Sequence, residues 1–130
     1  MRLMLIVAVA LVVLGACAPR TTVVPIETEE VVLPLEFQEV FSEVARTINT
    51  QPFPSDSGGW VITQSDQVGG FIAAELSGVR RVIFQGLVPY RAVVSVAFID
   101  RDSETALNIS SNGHEEAVKL VAAIRERLNI

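Results

Sequence analysis

The chain has 130 residues, half of them apolar, which is the length and composition of one folded domain rather than of a disordered segment. A formal net charge of −5 disfavours attraction to phosphate backbones, so no nucleic-acid partner is expected. The single cysteine excludes an intrachain disulfide, and with one histidine there is no ligand set for a structural zinc site, so neither metal nor cofactor is expected.

Residues 1–16 read as an export leader. Arg2 gives the positive start, and an unbroken apolar run covers residues 3–14, far short of the roughly 20 needed to cross a bilayer. Gly15 and Ala16 then lead into Cys17. The stretch Leu14-Gly15-Ala16-Cys17 resembles the lipobox of bacterial lipoproteins. That resemblance implies cleavage before Cys17, a diacylglycerol on its thiol, and acylation of the new N-terminus. Two or more acyl chains hold a protein stably at a membrane where one binds marginally. The expected address is therefore the cell envelope, with the membrane as partner through the lipid on Cys17. Ala18 after the cysteine resembles the outer-membrane sorting pattern, facing the periplasm if the cell is Gram-negative.

Residues 17–34 carry Pro19, Pro25 and Pro34 with Glu27, Glu29 and Glu30, and read as an extended tether; the valines at 31 and 32 leave a short edge strand as the alternative. Residues 35–49 follow a helical period, with Phe37, Val40, Phe41, Val44 and Ile48 on one stripe. Residues 51–59 are loop. Strands at 60–64 and 70–76 form a hairpin, the second presenting Ile72, Ala74 and Leu76 to one side. Residues 79–87 offer a further strand. Residues 91–99 and 105–111 form another hairpin with Val94, Val96, Phe98, Leu107 and Ile109 inward. Asn112 is placed to cap a final helix whose buried stripe is Ala117, Leu120, Val121, Ile124 and Leu128.

These elements predict an α+β fold over residues 35–130: a two-layer sandwich in which an antiparallel sheet of four or five strands carries both helices on one face. Thr63, Ala73, Ser95, Asn108 and Ser110 would line the solvated face. The segments Gly59-Trp60-Val61-Ile62 and Gly70-Phe71-Ile72-Ala73-Ala74-Glu75, with the valine-rich strand after them, resemble the helix-grip class of small envelope domains. That class includes domains of the accessory lipoprotein of outer-membrane barrel assembly. A shared fold transfers no function.

No catalytic constellation stands out. His114 starts a helix with no carboxylate placed to orient it, and Asp100, Asp102 and Glu104 read as turn residues rather than a calcium loop. Neither glycine pair, at 58–59 or 69–70, has the lysine of a phosphate loop. The expectation is a non-enzymatic interaction or assembly-accessory module with an envelope protein partner; the alternative is a carrier or sensor of a small hydrophobic ligand. Arg80, Arg81, Phe84, Tyr90 and Arg91 are the candidate contact residues, as the densest positive charge in an acidic chain beside the apolar run Val82-Ile83-Phe84. Read as part of a central strand, which the sequence favours, that run is core; read as an edge or loop, it is a docking patch.

Overall fold

The computed structural model describes residues 27–130. The expected leader, the lipobox-like segment with Cys17, and residues 18–26 lie outside the described residues. The element order is β1 (Glu27–Leu33), α1 (Phe37–Thr50), β2 (Ser57–Asp66), β3 (Phe71–Val82), β4 (Gly86–Arg101), β5 (Glu104–Ser111) and α2 (Glu115–Leu128). One antiparallel five-stranded sheet holds them in the order β1-β5-β4-β3-β2, and both helices bury their apolar stripes on the same face of it. The α+β two-layer expectation holds.

Each helix forms where its apolar spacing gives it a face to bury. Val40, Phe41, Val44 and Ile48 of α1, and Ala117, Leu120, Ile124 and Leu128 of α2, are all buried. They meet Ile72, Ala74 and Leu76 of β3, Val94, Val96 and Phe98 of β4, and Leu107 and Ile109 of β5. Phe37, Phe41 and Phe98 close one end of the core, with ring centroids 5.1 to 6.0 Å apart. At that end the chain turns from β2 into β3 at Gly70. A Cβ there would stand 2.4 Å from the Phe98 carbonyl oxygen, and φ is +73°, so glycine is required. Between the helices, Arg127 Nε donates to Glu43 at 2.8 Å, which lowers the Glu43 carboxyl from its usual range.

Four readings of the sequence are corrected. Residues 27–33 are an edge strand paired with β5 rather than tether, because β5 offers an open ladder whose backbone groups need partners. Residues 79–87 are not a separate strand: they are the continuous end of β3, a turn, and the start of β4. The cap of α2 is His114, whose Nδ1 accepts from the Glu116 N–H at 3.1 Å. Asn112 instead prolongs the β5 ladder beside β4, donating to the Arg91 carbonyl at 2.8 Å and accepting from the Val93 N–H at 3.2 Å. Lastly, the outer sheet face is only partly solvated. Thr63 is exposed, but Ala73, Ser95, Asn108 and Ser110 are half-buried between their strand neighbours.

Two substitutions separate core from cap. Leu120→Ala should lower the unfolding free energy by about 2–5 kcal/mol, and His114→Ala by about 1 kcal/mol, in urea titrations followed by far-ultraviolet circular dichroism. Equal losses would contradict this assignment.

Candidate functional site

The β3–β4 pair is in register without a break from Phe71↔Ala97 to Val82↔Gly86. Its first half lies over the helices. Beyond Leu76 and Ala92, the last fully buried residues on either strand, the ribbon runs on as an arm. Strand alternation continues along it, but no side chain there is fully buried. Val79 is 45% exposed, Leu87 66%, Ile83 80% and Phe84 fully exposed. The favoured reading of this run as core is therefore corrected: Val79 and Leu87 lie on the face turned away from the helices, Ile83 and Phe84 lie in the turn beyond the strands, and Val82, on the helix side, is exposed as well.

The turn at the arm's end is tight. The Gln85 N–H donates to the Val82 carbonyl at 3.2 Å, and Phe84 takes a φ of +71°. A left-handed backbone costs a non-glycine residue about 1–2 kcal/mol. Phe84 thus combines backbone strain with complete exposure of an aromatic ring, and neither stabilises the isolated domain. Such outliers collect at binding sites.

The root of the arm is held by a cluster drawn from four parts of the chain. Gly78 pairs with Tyr90, and the Tyr90 ring occupies the space a side chain at 78 would need, a Cβ there being 2.4 Å from the ring. The ring stacks on His114 at 5.2 Å and 8°, and the Arg80 guanidinium lies over it at 5.0 Å. The Tyr90 hydroxyl donates to Asp56 Oδ1. Asp56 also accepts from the Val79 N–H through its backbone oxygen at 3.1 Å and pairs with Arg80 at 3.8 Å. Arg80 reaches Glu115 at 3.9 Å. Exposed ion pairs of this kind contribute little each, so the ring stack, the glycine seat and the two hydrogen bonds to Asp56 hold the root. Burial, then the bond to Asp56, raises the Tyr90 hydroxyl above its ordinary value.

The five candidate contact residues therefore divide. Arg80 and Tyr90 share the helix side of the ribbon and belong to the root. Arg91 sits on the opposite side, held by a two-pronged pair with Glu75 at 2.7 and 2.8 Å. Arg81, which makes no ion pair among the described residues, and Phe84 belong to the free end. The sequence reading missed Asp56, and saw in His114 only the start of a helix with no carboxylate to orient it; both lie far from the arm in sequence, and only the tertiary fold brings them to it.

No protein-family model matches this chain, and no curated protein does. Several solved structures have a similar arrangement of elements. A DUF4468 family protein from Bacteroides ovatus is 13% identical at a TM-score of 0.41, over 71% of this chain and 56% of its own. A START superfamily protein from Mycobacterium smegmatis is 10% identical at 0.38, over 80% and 91%. The Zhui aromatase/cyclase from a Streptomyces species is 11% identical at 0.34, over 80% and 86%. At these scores the likeness carries no argument for what this chain does. The expectation of a non-enzymatic domain is corrected to this extent: aromatase/cyclases stand among the structures of similar outline, so the outline of the fold does not separate enzyme from non-enzyme.

The root cluster makes a clean spectroscopic prediction, since Tyr90 is the only tyrosine. Its absorbance change at 295 nm should have a midpoint above the ordinary value near 10. Because the folded state holds that proton more tightly than the unfolded, its contribution to stability is present below pH ~10 and lost as pH rises through the folded transition. Asp56→Asn should move the midpoint down; an unmoved midpoint would contradict the bond.

Proposed function

We propose that this protein is an envelope lipoprotein, fixed to a membrane by lipid on Cys17, whose domain is a docking module with the β3–β4 arm as its contact element. The observation that carries this is the end of the arm: Ile83, Phe84 and Leu87 exposed together on a turn that strains Phe84. Exposed apolar groups gathered in one place mark interaction sites, whereas scattered ones do not. The lipobox supports the anchor, and a module held at a membrane needs only a short reach to find its partner.

The alternative of a small-ligand carrier is less well supported. A ligand held between sheet and helices would need room there, and Ile72, Val94, Val96, Leu107, Val40, Val44, Leu120 and Ile124 meet in that layer with at most 1% exposure.

The test is photo-crosslinking in cells from position 84 of the full chain, with the adducts identified by mass spectrometry. A reproducible adduct that disappears with Ile83→Ser is the expected result. No adduct, to protein or to lipid, from a folded, membrane-bound chain would overturn the proposal.

A further inference from the structure

Resting on the anchoring just proposed, we infer that the arm's occupant is the surface of an anionic bilayer, into which Ile83 and Phe84 insert while Arg81 meets the headgroups. Three independent observations converge on this.

The first is charge. Between Glu75 and Asp100 the sequence has no acidic residue, yet it carries Arg80, Arg81 and Arg91, in a chain whose net charge is −5. Of the arginines, Arg80 is paired with both Asp56 and Glu115 at the arm's root, and Arg91 is paired with Glu75. Arg81 is left to face outward on the arm. Cationic side chains near an anionic membrane are drawn to it, and carboxylates are repelled.

The second is depth. Arg81 pairs with Leu87 one residue before the end of β3, and Phe84 stands in the middle of the turn beyond, at most about 10 Å away. Interfacial elements bury their apolar part about 5–10 Å into the boundary of headgroups and acyl chains. With Phe84 at that depth, Arg81 sits among the phosphates.

The third is reach. β1 begins at Glu27, which pairs with Ser111, which in turn pairs with Val94 of β4. The strand directions put that start on the side of the sheet from which the arm projects. Gly86 stands eight residues from Val94 along β4, so the arm's end lies about 26–30 Å beyond the level of Glu27. Glu27 follows Cys17 by ten positions, and a chain of that length spans at most about 35 Å. The lipid and the tip of the arm can therefore rest in one plane. The domain would stand on two feet, one covalent and one apolar.

The full chain, purified from membranes and reconstituted in vesicles of phosphatidylglycerol and phosphatidylcholine, tests this directly. An environment-sensitive fluorescent amino acid is placed at position 84, or at the fully exposed position 68 at the opposite end of the sheet. Emission from position 84 should shift to the blue and be quenched by lipids carrying a nitroxide high on the acyl chain, while position 68 shows neither. Arg81→Glu should weaken insertion at least about fivefold, the effect of a single arginine at an anionic surface. A probe at position 84 that stays in water on these vesicles overturns the inference. If it does so while still giving a protein adduct in cells, the arm docks on protein and the proposed function stands. If it gives neither, both readings fall.

Discussion

The unbroken hydrogen-bonded register of β3 with β4 is the constraint on which the rest of the structure depends. Twelve consecutive residue pairs, from Phe71↔Ala97 to Val82↔Gly86, make one ribbon, longer than either helix can cover. A hairpin alone in water is marginal, so its free half must borrow rigidity from the half packed on the helices. The borrowing runs through Leu76 and Ala92, the last buried residues on each strand, and then through the seat of Tyr90 against Gly78.

That seat decides which way the arm points. Without a side chain at position 78, the Tyr90 ring lies flat on the ribbon and presents its other face to His114, the capping residue of α2. The ring thus ties the arm to the helix layer at the point where sheet and helices part. Asp56, in the loop that leads into β2, completes the tie by accepting from both strands of the arm, through Tyr90 and Val79. The ion pairs around it are exposed and add little. What the root achieves is orientation of an apolar tip that has no partner within the domain.

Periodicity made most of the fold legible. The stripes on both helices and the inward faces of β3, β4 and β5 were readable because each buries one side against a single layer, and the alternation of period 2 or 3.6 records that directly. The arm was not legible in the same way. Val82, Ile83, Phe84 and Leu87 have the composition of a core strand, and nothing local tells a strand covered by helices from one that outruns them. The absence of acid between Glu75 and Asp100 was a usable clue to a positive face, but not to exposure. The strand at 27–33 was obscured by its three glutamates, which an edge position tolerates. At Asn112 the cap pattern was present, but the side chain found better partners on β4, and His114 took the cap. The clustering of Asp56 and His114 around Tyr90 spans residues far apart in the chain, so no local pattern could announce it.

The central claim is that Phe84 is a strained, solvent-facing contact residue and not part of the core. Urea unfolding of Phe84→Gly tests it with a difference in sign. Glycine relieves the left-handed backbone and removes a ring that touches nothing, so the free energy of unfolding should be unchanged or raised by up to about 1 kcal/mol. A loss of about 3–5 kcal/mol, as for truncation of a buried phenylalanine, would place the ring in a packed interior and contradict the account.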